Sequence, residues 1–174
     1  ITNVKLKDDV TTMEVGKPIT IQWTPSGELT LFKIYYKKGT DTEVLISATS
    51  GGIAGADASG GVREWEWDPV VDIISNSGVM RVEDQYNTNV SGPSGAKIVK
   101  GQLTVAGPNT ATPYYIGDTM EIKWNKTGSI GTLTIEASAT GGFGGGADTV
   151  TIEASGVASG SDGENTYSSP WTVP

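Results

Sequence analysis

Along much of the chain, apolar and polar residues alternate one by one. Ile19, Ile21 and Trp23 alternate with Thr20 and Gln22, and Phe32, Ile34 and Tyr36 follow at the same spacing. A period of two sends one set inward and the other to water, which predicts half-buried antiparallel strands. The pattern returns 101 positions later, as Met120, Ile122 and Trp124 against Glu121 and Lys123, then Leu133, Ile135 and Ala137. Gly16/Gly117, Ile21/Ile122, Trp23/Trp124, Gly27/Gly128 and Ile34/Ile135 are identical, and Val15/Ile116, Ile19/Met120 and Phe32/Leu133 stay apolar. A repeat of this length is too long for a solenoid unit and fits two copies of one small domain.

Glycines 16 and 117 supply the turn into the repeated strand, and Pro25-Ser26-Gly27 or Lys126-Thr127-Gly128 the turn out of it. Val4 and Leu6 mark a short strand ahead of the motif. Val44, Ile46 and Ala48 mark one behind it, matched in the second copy by Val150, Ile152 and Ala154. Each copy also has a late tryptophan, Trp67 or Trp171. Trp23, Trp124, Trp67 and Trp171 are therefore expected in the core, the early and late rings of a copy meeting across it.

The first copy runs on through strands at Val79–Val82, Lys97–Val99 and Gln102–Val105. The reading is all-β: a sandwich over residues 1–105, a linker at 106–109 and a second sandwich over 110–174. The second copy reaches Pro174 without a counterpart of those closing strands. It is expected to be incomplete and the less stable domain, with its gap either a cut end or a seat for a neighbouring subunit's strand.

Composition narrows the chemistry. The 174 residues contain no histidine and no cysteine. That removes Ser-His-Asp and Cys-His catalysis, thiolate or imidazole metal sites and disulfides. A net charge of −8 disfavours nucleic acid and anionic membranes as partners, and no apolar run is long enough to span a bilayer. Glu64 and Glu66 lie two apart on one strand beside Trp65. They point in parallel instead of closing on a substrate from opposite sides, so no enzyme activity is expected.

Calcium, bound weakly, is the one metal considered. Its candidate ligands are Glu83, Asp84 and Asn87, with Asp162-Gly163-Glu164 a second oxygen-rich loop. Asn89 and Asn125 begin N-glycosylation triplets. The tract Gly141–Gly146 lacks the Lys-Ser/Thr ending of a phosphate loop and reads as a hairpin loop that either tucks Phe143 back or displays it.

Gly-x-x-x-x-Ile-x-Trp-x-x-x-Gly, then Leu/Phe-x-Ile and a closing Trp-x-Val-Pro, resembles an immunoglobulin-like extracellular repeat of large bacterial surface and S-layer-type proteins. It is also similar to the Knh-like domain of fungal cell-wall proteins. Gly16 to Gly27 and Gly117 to Gly128 carry the front of the motif, and Trp171-Thr172-Val173-Pro174 its end. The first copy departs there, with Trp67-Asp68-Pro69-Val70. The resemblance implies two tandem immunoglobulin-like β-sandwich domains in a secreted, self-associating structural segment at the cell surface, S-layer or stalk-like. Its partners would be copies of itself or neighbouring domains of the same protein. Alternatives are a carbohydrate-binding or adhesive module for cell-wall glycans and an accessory domain of an extracellular enzyme. A binding module should display its aromatics on an accessible face, and an architectural one should bury them.

Overall fold

The structure, a computed structural model, describes residues 1–47, 51–57, 61–108, 113–139, 141, 143 and 148–174. Ala48, Asn109 and much of the Gly141–Gly146 tract lie outside the described residues. The chain divides into two compact units, Ile1–Lys100 and Gly101–Pro174.

In the first unit the strands are β1 (Thr2–Leu6), β2 (Thr12–Glu14), β3 (Ile19–Thr24), β4 (Phe32–Lys38), β5 (Val44–Leu45), β6 (Ala56–Asp57), β7 (Arg63–Trp67), β8 (Ser75–Asp84), β9 (Ser91–Pro93) and β10 (Lys97–Lys100). They form two sheets, ordered β1-β3-β7-β6 and β2-β10-β8-β4-β5, with β9 also on β8. In immunoglobulin terms this is A-B-E-D against A′-G-F-C-C′, an immunoglobulin-like β-sandwich. Among the described residues the strands pair antiparallel except that β2 runs parallel to β10, and an isolated parallel bridge joins Val4 to Ser94.

The alternation in β3 and β4 does what period two requires. Ile21 and Trp23 from one sheet, and Phe32, Ile34 and Tyr36 from the other, are buried together with Met80, Val82 and Val99. The early and late tryptophans do not meet as expected. Among the described residues, Trp23 stands edge-on to Phe32, with centroids 5.2 Å apart, and Trp67 lies 6.0 Å from Tyr36. Both are in the core, each paired with an aromatic of β4, because β4 faces β3 and β7 across the sandwich.

The second unit comprises β11 (Gln102–Gly107), β12 (Thr119–Met120), β13 (Lys123–Thr127), β14 (Thr132–Ser138), β15 (Thr149–Ala158), β16 (Gly163–Thr166) and β17 (Trp171–Thr172). Its pairings are β11-β13-β16, β12-β17 and β14-β15, the A-B-E and C-C′ portions of the same sandwich. The expected boundary at residue 105 is corrected here. The strand Gln102–Gly107 does not close the first unit; it pairs along β13, from Gln102 opposite Thr127 to Val105 opposite Trp124. By the repeat shift it is the counterpart of β1, and the division falls at Lys100/Gly101 instead of in a linker at 106–109.

The repeat holds at the level of register. Ile19 faces Trp67, and its equivalent Met120 faces Trp171. The Gly16 N–H donates to Val70 C=O and the Gly117 N–H to Val173 C=O, both at 2.9 Å. Gly16 and Gly117 have φ of 79° and 91°, in the left-handed region that glycine occupies without strain. That accounts for their identity in the two copies.

Candidate functional site

The two units differ most in how the inner face of the C strand is covered. In the first, β4 pairs with β5 on one edge and β8 on the other, and Phe32, Ile34 and Tyr36 are at most 1% exposed. In the second, β14 pairs with β15 on the β5-like edge, and among the described residues no strand lies along Leu133–Ala137 on the β8-like edge. Leu133, Ile135 and Ala137 remain only half-buried. The result is a cleft of about 480 Å³ within this unit. Met120, Ile122 and Trp124 line one wall, Leu133, Ile135 and Ile152 the other, and Phe143, 64% exposed, also lines it.

Polar contacts tie the walls together. The Trp124 indole N–H donates to the Ser159 carbonyl at 2.8 Å, fixing β13 to the end of β15. The Tyr167 hydroxyl donates to Glu153 at 3.2 Å, and the Ser155 N–H donates to the same carboxylate at 2.8 Å. The hydrogen bonds from Ser155 hold the Glu153 carboxyl below the usual range for glutamate. At the end of β13 the buried Lys126 ammonium donates to Gly128 C=O at 2.8 Å and lies 3.3 Å from Asp162. Asp162 also accepts the Gly128 N–H at 3.0 Å. A lysine thus sits beside the Asp162 carboxylate named above as a possible calcium ligand.

The other proposed calcium ligands also have protein partners. Glu83 and Asp84 are adjacent on β8 and so point to opposite faces. Glu83 accepts from Arg81. Asp84 accepts the N–H groups of Tyr86 and Asn87 at 3.1 and 2.8 Å, and Asn87 in turn accepts the Asn89 N–H at 3.2 Å. No group of three or more acidic side chains able to hold a metal occurs among the described residues. Asn89 is exposed in the β8–β9 loop, and Asn125 is exposed in the middle of β13, between Thr104 and Glu164.

Glu64 and Glu66 lie side by side on β7. Glu64 accepts from Gln22 at 2.5 Å and Lys7 at 3.4 Å, and the Gln22 hydrogen bond draws its carboxyl below the usual range. Trp65 packs against the core on the same face as Trp67. Trp171 is half-buried.

Several structural residues carried no signal in the sequence. The Ser47 hydroxyl accepts the Ile34 N–H at 3.1 Å, and the Ser94 hydroxyl accepts the Met80 N–H at 3.0 Å. Both occupy places where a neighbouring strand would supply a carbonyl.

No protein-family model and no curated protein sequence matches the chain. Among solved structures it is similar to the fibronectin(III)-like modules of Clostridium thermocellum CbhA, at 14% identity and a TM-score of 0.29, over 96% of this chain and 79% of that one. The immunoglobulin-like assignment rests on the strand order and register given above. No helix among the described residues is long and apolar enough to cross a membrane.

Proposed function

We propose that the chain is a structural segment of a secreted cell-surface protein, S-layer or stalk-like, that associates through loops and sheet edges with copies of itself or with neighbouring domains. The observation that carries this reading is the use of the tryptophans. Trp23, Trp67 and Trp124 are buried as core in two copies of one sandwich instead of being displayed on a binding face. A carbohydrate-binding module stacks sugars on accessible aromatic rings. Glu64 and Glu66 are parallel neighbours, which is the wrong disposition for the two-carboxylate chemistry still open to a chain without histidine and cysteine.

Sedimentation velocity over a range of concentrations, run beside co-sedimentation with insoluble cell-wall polysaccharide, tests the proposal. Concentration-dependent assembly without polysaccharide binding is expected. A strictly monomeric chain that binds polysaccharide saturably would favour the carbohydrate-binding alternative.

A further inference from the structure

We propose that Asn89, at the tip of the β8–β9 loop, carries an N-linked saccharide, and that the Tyr86 ring is the surface on which its first sugar packs. The route to a glycosyl transferase rests on the secreted, cell-surface reading, while the geometry of the acceptor loop stands on its own.

Asn89-Val90-Ser91 supplies what such a transferase reads, an asparagine and a hydroxyl two positions on with no proline between them. The fold puts that triplet where an enzyme can reach it. The Asp84 N–H donates to Val90 C=O and the Val90 N–H to Asn87 C=O, both at 2.9 Å, so the chain reverses in a tight turn with Asn89 at its tip. Asn89 and Ser91 are both exposed. Among the described residues, nothing hydrogen-bonds the Asn89 side-chain amide or the Ser91 hydroxyl. The second triplet is placed otherwise. Asn125 lies mid-strand between Thr104 and Glu164, and the Lys126 that follows it is buried. Presenting it to an enzyme would mean drawing β13 out of its sheet.

Tyr86 makes this loop more than a bare triplet. It stands three residues before Asn89 in the same closed loop and is 75% exposed, the most exposed large hydrophobic side chain described in the first unit. Its backbone is pinned. The buried Asp84 carboxylate accepts the N–H groups of Tyr86 and Asn87 at 3.1 and 2.8 Å, and the Asn87 side chain accepts the Asn89 N–H at 3.2 Å. A pyranose has an apolar face of C–H groups that packs on an aromatic ring, and a loop ordered in advance lowers the cost of that contact. A sugar on Asn89 would cover apolar surface that otherwise faces water.

The transfer forms one bond, between Asn89 Nδ2 and the anomeric carbon of a saccharide carried on a lipid diphosphate. The anomeric C–O bond breaks, the diphosphate leaves with its electron pair, and the amide gives up one proton. Peptide mapping by mass spectrometry of the chain from its natural source should find Asn89 substituted in most molecules. The role of Tyr86 is read on the chain secreted from a eukaryotic host and trimmed enzymatically to a single N-acetylglucosamine. Its first unit should melt about 2–6 °C above that of the Asn89→Gln chain, the shift expected from one aromatic contact in a domain of this size. With Tyr86→Ala in both, the sugar should stay and the difference should fall to about half or less. Ser91→Ala, which keeps Asn89 but blocks transfer, serves as a second bare reference.

A bare Asn89 in the natural material overturns the proposal. So does a gain in melting temperature that is the same with and without Tyr86, or no gain at all, since the ring is then not the seat of the sugar. Assembly of a chain whose Asn89 is bare would remove this inference and leave the architectural reading intact. A saccharide on Asn89 of a chain that stays monomeric and binds polysaccharide would do the reverse.

Discussion

Trp23 is fully buried, flanked by the Phe32 ring on one side and by Gly55, where a Cβ would lie 2.9 Å from the indole, on another. Removing the ring leaves a void that rigid strands close only in part. Trp23→Ala should therefore cost about 3–5 kcal/mol, read as a fall in the denaturant midpoint of the first unit. Gly78→Ala tests the same packing from the other side. It forces Tyr36 out of place and should cost about 1–3 kcal/mol, whereas Gly39→Ala, in open space, should suffer only backbone strain. The outer face carries a charge cluster in which Arg81 donates to both oxygens of Glu43 and also to Glu83, with its guanidinium 4.6 Å from the centre of the Tyr35 ring. The hydrogen bond from Arg81 holds the Glu43 carboxyl below the usual glutamate range. A carboxyl lowered in the folded state contributes stability above its unfolded value, and that contribution disappears as pH falls through the folded one. Glu43→Gln should thus lower the melting temperature at neutral pH and flatten its decline between about pH 5 and pH 3.

At the scale of elements, the strands read from alternation were those whose inward set is uniformly apolar. β3, β4 and β14 belong here; the long β15 forms where Val150 and Ile152 alternate, although Val150 is 41% exposed and Ile152 is half-buried. The repeat shift also contained the answer for β11. Applied to Thr2–Leu6 it lands on Leu103–Gly107, yet adjacency to Lys97–Val99 suggested that this strand closed the first unit. Chain proximity misled where the repeat did not, because a short connection does not reveal which sheet a strand joins. The serine hydroxyls of Ser47 and Ser94 were not legible, since a serine accepting a backbone N–H inside a sandwich has the same sequence signature as one in a loop. The same holds for Lys126, buried at the end of β13 by its bonds to Gly128 and Asp162. Lys126→Met keeps much of the stem's packing but leaves the Gly128 carbonyl and the carboxylate without it. A loss of about 1–3 kcal/mol is expected for the second unit, measured by chemical denaturation.

For the whole molecule, the decisive contrast is between two copies of one sandwich whose C strands are covered to different extents. Phe32 and Ile34 are sealed in the first unit, while Leu133 and Ile135 are half-buried in the second. Less apolar area leaves water when the second unit folds, so it should unfold first. Calorimetry is expected to show two transitions, with Trp23→Ala lowering the hotter one and Trp124→Ala the cooler. A single transition that both variants shift equally would contradict that order. The half-burial of Leu133, Ile135 and Ala137 was not legible, because their alternation is the same as that of Phe32, Ile34 and Tyr36, which are sealed.

The parallel pairing of β2 with β10 bears on how the first unit would respond to a stretching force. These strands lie near the unit's two chain ends, with Thr12, Met13 and Glu14 beside Ile98, Val99 and Lys100. Tension applied through the chain pulls β2 toward its N-terminal end and β10 toward its C-terminal end. Because the strands are parallel, the two pulls oppose each other along the strand axis. The bonds from Ile98 N–H to Thr11 C=O and from Val15 N–H to Lys100 C=O, each 2.9 Å, are then loaded together in shear instead of being peeled open one after another. Ile98→Pro deletes one of those donors, and single-molecule pulling should find that it lowers the unfolding force of this unit.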